Sequence, residues 1–333
     1  MATTGADVRF GRRLHRKDLV VDLPWLGCGR FRERIEVTMS ALDKKVWDVA
    51  AEEFPYGAPI ETQLQFLLRY AILAPSTKNS QPWRFAVEGN QVELIAALDR
   101  RQPIADPDNR ELYISLGCAL ENLLVAAEQF GFHHGVQYLP DQKRPELAAR
   151  VLFALDGSPT QRAGIPLDAI LARHNDNSVY RSVPVPEHLR ARLEACCTEP
   201  DLRLDLTDNQ RFRRWIDELT LEADRVEFAT PAFRKELGYW IGQGVFGTPQ
   251  PLARLGGFAI SRLDLGEPVA QQDHEIVGSA ALLGVISAGD DSHLAHLRVG
   301  QLFERIWLTA TALGVNIHPM SQTMRSPAIR RAV

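Results

Sequence analysis

The sequence has few cysteines and no long apolar run. Its four cysteines, Cys28, Cys118, Cys196 and Cys197, include no CxxC pair, and two adjacent cysteines suit neither a zinc site nor an ordinary disulfide. We therefore expect reduced thiols and a cytoplasmic protein. No apolar stretch reaches the length that a membrane helix requires, so no membrane association is expected.

An excess of positive charge is missing as well. The formal net charge is −4, which argues against a nucleic-acid-binding protein. Residues 1–34 are the exception, with eight Lys and Arg against four Asp and Glu. We expect a basic N-terminal arm there, and a helix over 41–53 that begins at Ser40 as its N-cap.

Motifs of several enzyme classes are also absent. The sequence contains no GxxxxGK, GxSxG or HExxH pattern, so hydrolysis has no local support. His133 and His134 resemble a metal-binding pair, but adjacent residues on a strand point to opposite faces. We predict no metal site.

Periodic patterns predict a chain of mixed helices and strands. The predicted helices cover 61–74, 109–130, 167–173, 187–196, 209–223, 232–240 and 292–313, and the predicted strands cover 83–87, 92–97, 134–139, 149–155 and 280–287. Gly89-Asn90 predicts a hairpin turn between the first two strands. Residues 241–257 are rich in Gly and Pro, and we expect a loop over a surface or pocket there.

Two long predicted helices resemble each other. Residues 117–131 align with 300–314 at a constant offset of 183, with identical residues at Gly117/Gly300, Glu121/Glu304, Ala127/Ala310 and Gly131/Gly314. Any two apolar helices that end in glycine would share part of this pattern. A strand before each helix and an extended segment after each favour a duplicated core of two similar halves, with a seam at 157–159.

Three stretches carry candidate binding residues. The loop over 74–83 offers hydroxyl and amide donors at Ser76 and Asn79 to a planar polar ligand, although the same residues also suit a plain helix-to-strand turn. Arg173 follows a predicted helix and suits either a phosphate or a solvated helix end. In 314–322, Gly and Pro let the backbone approach a ring, and His318 is either a proton donor or a packed or solvated histidine.

Together these stretches resemble the nitroreductase superfamily, and most closely its fused Acg-type FMN-binding branch. The resemblance covers roughly residues 57–333. The loop over 74–83 is similar to the motif A-P-S-x-x-N-x-Q-P-W, and residues 99–117, Pro184–Pro186 and 313–319 fit the blocks that follow.

The resemblance implies an α+β, nitroreductase-like fold. Two fused pseudo-symmetric halves, each a mainly antiparallel sheet packed with helices, would replace the two protomers that share each FMN in the superfamily. The domains would be a basic arm with a helix at 1–56, a first half at 57–157 and a second half at 158–333. The chain would then be a monomeric pseudo-dimer or a homodimer.

The resemblance also implies roles for eight residues. Pro75, Ser76 and Asn79 of the first half would touch the isoalloxazine and ribityl groups of FMN. Arg173 and Asn175 of the second half would reach the phosphate and ribityl groups. Pro319, Met320 and Ser321 would lie along the ring, with a backbone N–H near N5.

The function implied is an FMN-dependent oxidoreductase that uses NAD(P)H to reduce a small acceptor such as a nitroaromatic or a quinone. The flavin carries the hydride, so no catalytic side chain is assigned. One alternative is an FMN-binding or FMN-sequestering protein without turnover, with 241–257 as a lid. Another is a degenerate pseudo-dimer that has lost FMN. It is motivated by Asn175, where the motif favours Ser or Thr, and by Asn177, where it favours Arg; Arg325, Arg330 and Arg331 are candidate replacement charges.

Overall fold

The computed structural model describes residues 47–155, 164–181, 183–245 and 248–325. Its strands are β1 (Trp83–Glu88), β2 (Gln91–Ala96), β3 (His133–Tyr138), β4 (Leu147–Ala154), β5 (Leu202–Thr207) and β6 (Leu283–Ala288). The first four form one antiparallel sheet in the order β1-β2-β4-β3, and the last two form a second antiparallel sheet. The expected α+β class with antiparallel sheets is confirmed.

Helices surround both sheets. They are α1 (Ile60–Ala71), α2 (Arg110–Gln129), α3 (Asp168–Ala172), α4 (Glu187–Glu194), α5 (Gln210–Ala229), α6 (Pro231–Gly242), α7 (Gln250–Arg262), α8 (Gly266–Ser279), α9 (His293–Ala312) and α10 (Gln322–Arg325). Within the described residues, no helix combines the length and the apolar character that crossing a membrane requires.

The main core lies between the four-stranded sheet and helices α1 and α2. Leu64, Leu67 and Leu68 of α1 are almost fully buried there, as the apolar spacing of the predicted helix requires. The expected hairpin of β1 and β2 is confirmed, with Val87 opposite Val92 and the turn at Gly89-Asn90. Burial of these apolar faces fixes the sheet register, since a slip of one residue would turn each strand's core side chains to solvent.

The two long helices α2 and α9 cross at their glycines. A Cβ on Gly117 would lie 2.1 Å from the Leu297 carbonyl oxygen, and one on Gly300 would lie 2.0 Å from the Ile114 carbonyl oxygen. Ile114 and Leu297 are also 183 residues apart, so the contact is reciprocal. Reciprocity is the property of a two-fold interface, and the internal duplication remains a prediction that this contact supports.

The predicted helix over 41–53 is wrong in the part that the structure describes. Residues 47–50 are not helical, and Ala51–Glu53 form a single 3-10 turn; residues 41–46 lie outside the described residues. Pro55 disfavours helical backbone at Phe54, which adopts ψ 126°. The Phe54 ring stacks on Phe130 at 4.1 Å, which holds this segment against the core in an extended form.

The predicted loop over 241–257 is also largely wrong, because α7 begins at Gln250. Pro249 and Pro251 occupy the start of the helix, where a missing backbone N–H costs little. A Cβ on Gly257 would lie 2.2 Å from the Gly238 carbonyl oxygen, so this glycine allows α6 and α7 to pack closely. Residues 242–247 match G-x-G-x-x-G in sequence, yet Gly242 is the last residue of helix α6, whereas a dinucleotide-binding turn follows a strand. The seam predicted at 157–159 lies outside the described residues.

Candidate functional site

A cavity of about 1210 Å³ collects residues from three distant segments of the chain. These segments are the loop between α1 and β1, the stretch that follows α3, and the stretch that follows α9. All eight residues expected at a cofactor site line this cavity, namely Pro75, Ser76, Asn79, Arg173, Asn175, Pro319, Met320 and Ser321. The structure therefore brings them together, while their binding roles remain predictions.

The loop after α1 has an unusual backbone. Lys78, Asn79 and Gln81 adopt left-handed conformations with φ of 53°, 50° and 49°. Non-glycine residues are uncommon there, and such strain concentrates where the surrounding structure holds a functional geometry. One fixed contact is the Gln81 backbone N–H, which donates to the Ser76 Oγ at 2.9 Å.

The same loop is attached to α6 and to the residues after it. The Asn79 side-chain amide donates to the Val245 carbonyl at 2.7 Å, and Val245 also lines the cavity. The Lys78 Nζ lies 3.7 Å from the Glu236 carboxylate and 4.7 Å from the centre of the Phe233 ring. Burial lowers the pKa of Lys78 to about 8. Its Nζ is buried without a hydrogen bond among the described residues.

Glu236 connects α6 to the turn over 102–106 as well. Its carboxylate accepts hydrogen bonds from the backbone N–H groups of Ile104 and Ala105 at 3.1 and 3.0 Å. One carboxylate on α6 thus contacts both the 102–106 turn and the loop that carries Asn79. These contacts attach α6, and with it α7, to residues beside the cavity.

Arg173 is part of the cavity wall. It is only 7% exposed, and its Nη2 donates to the Leu73 carbonyl at 3.2 Å. The guanidinium lies 4.6 Å from the centre of the Trp307 ring, and its Nε lies 3.5 Å from the Glu304 carboxyl group. Arg173 therefore lines the cavity while it also contacts three protein groups, and its expected role at the phosphate stays a prediction.

Two buried carboxyl groups lie at matching positions of the long helices. Glu121 and Glu304 are both fully buried, and Arg305 contacts Glu121 at 2.8 Å. Burial raises the pKa of Glu304 to about 8 against the opposing charge of Arg173. The partners differ between the two positions, so the surroundings of the matching carboxyls are asymmetric.

The segment after α9 is tied to the segment after α3. The Asn316 side-chain amide donates to Asp176 Oδ2 at 2.5 Å, and His318 Nδ1 lies 3.0 Å from the Asp176 carbonyl oxygen. Hydrogen bonds from Ser178 hold the pKa of Asp176 below its usual value, so this carboxylate stays charged. Pro319, Met320 and Ser321 follow His318 in the chain and line the same cavity as Asn175.

Known relatives of the chain cover most of its length. No protein-family model matches it. It is 29% identical to the Mycobacterium tuberculosis protein named "Putative NAD(P)H nitroreductase Rv3131", over 88% of this chain and 85% of the relative. It is 26% identical to "Putative NAD(P)H nitroreductase acg" of the same organism, over 74% and 76% of the two chains. The chain is therefore similar, over most of its length, to proteins that are named putative NAD(P)H nitroreductases.

Several residues that line this cavity had no predicted role, or their position in the structure could not be predicted from the sequence. No role was predicted for Lys78, which lies in the loop over 74–83, or for Arg110, Glu111 and Arg181. All four line the cavity. Arg325 was only a candidate charge; it also lines the cavity, where it donates to Glu227 at 2.7 Å. Arg330 and Arg331 lie outside the described residues. The missed contacts join residues far apart in sequence, which periodicity cannot pair.

The structure gives a contact for one residue of the His133-His134 pair. His134 Nε2 lies 2.8 Å from the Glu128 carboxylate, which accounts for it as a packed residue. In the described part of the chain, no group of three or more His, Cys, Asp and Glu side chains is arranged to hold a metal ion. His318 does line the cavity, and its use as a proton donor stays a prediction.

Proposed function

We propose that this chain binds one FMN in the cavity and uses NAD(P)H to reduce a small electron acceptor such as a nitroaromatic or a quinone. The observation that carries the proposal is the convergence of eight residues from three distant segments on one cavity. The names of the relatives support nitroreductase-type oxidoreduction, whereas FMN and the class of acceptor come from the proposal itself.

The cavity suits a flavin nucleotide in size and in chemistry. Its volume of about 1210 Å³ exceeds the roughly 300–1,000 Å³ of ordinary small-molecule pockets, leaving room for a cofactor and a second ligand. Apolar side chains from α8 and α9 line it together with amide and hydroxyl groups such as those of Asn79 and Ser76. Lys78, whose Nζ is buried beside the Glu236 carboxylate, is a basic residue of the wall.

Each of the three segments would hold a different part of the cofactor. Pro75, Ser76 and Asn79 would contact the ring and ribityl chain, and Pro319, Met320 and Ser321 would lie along the ring. Asn175 would reach the ribityl chain from the second half. When bound, the flavin accepts and donates the hydride, while the protein binds, orients and excludes water.

A second candidate function is FMN binding without turnover. The observation that favours it is the attachment of α6 and Val245 to the cavity loop, through Lys78–Glu236 and Asn79–Val245. A cover that stays attached would shield a bound flavin from acceptors. The two functions share the site and differ only in access to it.

Anaerobic stopped-flow mixing of the FMN-loaded protein with NADPH and with NADH separates these functions. Bleaching of the flavin absorbance by either nucleotide, followed by reoxidation with a quinone, is the expected result. Stoichiometric FMN that neither nucleotide bleaches would contradict the reductase and favour the sequestering protein.

A further inference from the structure

Five cationic side chains line the described part of the cavity: Lys78, Arg110, Arg173, Arg181 and Arg325. Four of them lie within 4.0 Å of a carboxyl group. Lys78 lies 3.7 Å from Glu236, Arg110 lies 3.3 Å from Glu111, Arg173 lies 3.5 Å from Glu304 and Arg325 lies 2.7 Å from Glu227. A phosphate placed beside Lys78, Arg110 or Arg325 would also meet the neighbouring carboxylate, whereas Glu304, whose pKa burial raises to about 8, carries little charge beside Arg173 at neutral pH.

Two further contacts, besides the one with Glu304, hold the Arg173 side chain in the wall of the cavity. Its Nη2 is used by the Leu73 carbonyl, and its planar face is covered by Trp307. Turning it toward a ligand would break both contacts and leave a buried carbonyl without its donor.

Arg181 differs from the other four. It is exposed, and within the described residues its side chain has no hydrogen bond and no carboxylate within 4.0 Å. The backbone just before it is fixed, because the Tyr180 N–H donates to Ser279 Oγ at 2.9 Å and the Tyr180 hydroxyl donates to the Asp176 carbonyl at 3.4 Å. Arg181 is therefore an uncompensated cation on an anchored stretch of the cavity wall.

We propose that Arg181 binds the phosphate of the ligand in this cavity. This inference rests on the proposed function and supplies the charge that Asn177, four residues earlier, does not provide. A guanidinium can donate two parallel hydrogen bonds to a phosphate, which an amide or a lysine does less well. Asn175 and Asn177 line the same cavity, and the Asn175 amide donates to the Asn177 side chain at 2.9 Å.

The phosphate has two possible sources, the FMN monoester and the diphosphate of the nicotinamide nucleotide. Titrating the purified protein with FMN and with riboflavin isolates the first, because the two ligands differ only in the phosphate. Titrating the FMN-loaded protein with NADP⁺ and NAD⁺ reports on the second. The variants are Arg181→Gln and Arg181→Lys, with Arg192→Gln on the exposed side of α4 as the matched control.

Arg181→Gln is expected to weaken FMN binding by about 10- to 100-fold, the usual range for a charge-assisted hydrogen bond, while riboflavin binding stays unchanged. The FMN affinity of Arg181→Lys should lie between that of Arg181→Gln and that of the parent. The FMN affinity of Arg192→Gln should equal that of the parent. Weakened NADP⁺ and NAD⁺ binding with an unchanged FMN-to-riboflavin ratio would still support Arg181 as a phosphate ligand and assign the phosphate to the nicotinamide nucleotide.

Two negative results have different meanings. A parent protein that binds FMN, with Arg181→Gln unaltered in all four titrations, overturns the assignment of Arg181 and leaves the proposed function standing. A parent protein that binds neither flavin nor nicotinamide nucleotide overturns both. Because Arg181 is exposed, its variants should unfold at the parent's temperature, and that measurement accompanies each titration.

Discussion

Gly117 of α2 and Gly300 of α9 face each other where these two 20-residue helices cross. A Cβ on Gly117 would lie 2.9 Å from Gly300 Cα, and one on Gly300 would lie 3.0 Å from Gly117 Cα. Only a residue without a Cβ fits at either position without a shift of backbone. The cavity depends on this crossing, because Ile114 of α2 and Phe303 of α9 both line it.

Gly117→Ala and Gly300→Ala should each lower the free energy of unfolding by about 1–3 kcal/mol, since each methyl meets backbone rather than a flexible side chain. Urea denaturation measures the change. Gly278→Ala on α8 is the control, because its Cβ would meet nothing within 4 Å and alanine favours helix by up to about 1 kcal/mol. A Gly117→Ala variant as stable as the control would show that the crossing is looser than described.

Asp106 stabilises the start of α2, and its removal should be costly. Its two carboxylate oxygens accept from the backbone N–H groups of Glu111 at 3.0 Å and Leu112 at 2.9 Å. Asp106→Ala is expected to cost about 1–3 kcal/mol, because two buried donors lose their acceptor. Thermal unfolding compares it with Asp108→Ala, an exposed neighbour that should cost little. Equal melting temperatures for the two variants would contradict this role.

Glu236→Gln should loosen the attachment of α6 beside the cavity. The variant loses the ion pair with Lys78 and weakens the two backbone hydrogen bonds from Ile104 and Ala105. In the FMN-loaded protein, iodide should then quench the flavin fluorescence more strongly than in the parent. Glu222→Gln, at an exposed position of α5, is the control. An unchanged quenching constant would mean that α6 does not govern access to the flavin.

Glu304 should make stability depend on pH. Burial raises its folded-state pKa from the usual 4.5 to about 8. A raised pKa means that its contribution is fully present below about pH 4.5 and is lost as the pH rises through about 8. Glutamine does not ionise, so Glu304→Gln should gain stability relative to the parent between about pH 5.5 and 8.5.

Urea denaturation at these two pH values tests the sign of the Glu304 effect. Glu218→Gln, at an exposed position of α5, serves as the control. A difference between parent and Glu304→Gln that stays constant, or moves against the variant as the pH rises, would contradict the raised pKa.

Local signals in the sequence predicted much of the fold. The hairpin of β1 and β2 follows from Gly89-Asn90 between two strand patterns, and the end of α2 follows from Gly131, which adopts φ 82°. Strand β5 was missed although Leu202–Thr207 alternates apolar and polar residues, the pattern of a half-buried strand. Helix α7 was missed because the glycine that packs it against α6 resembles a loop residue in sequence.

For the cavity, the sequence predicted which residues would line it but not which of their side chains would pair with each other. The resemblance named residues on three segments, and these segments do converge. What it did not indicate was the ion pairing of the lining cations, such as Lys78 with Glu236, 158 positions apart in the sequence. Whether an arginine faces a ligand or a buried acid is decided by packing between distant elements. The role of Arg173 at the phosphate stays a prediction, and its contacts with Leu73, Glu304 and Trp307 are the reason why we propose Arg181.

The visible absorption spectrum of the purified protein, with the chromophore released by denaturation and identified, tests the central claim most directly. We predict a flavin spectrum and about one FMN per chain, either as purified or after incubation with FMN. A protein that remains colourless after that incubation would contradict an FMN-dependent oxidoreductase and would favour a degenerate pseudo-dimer.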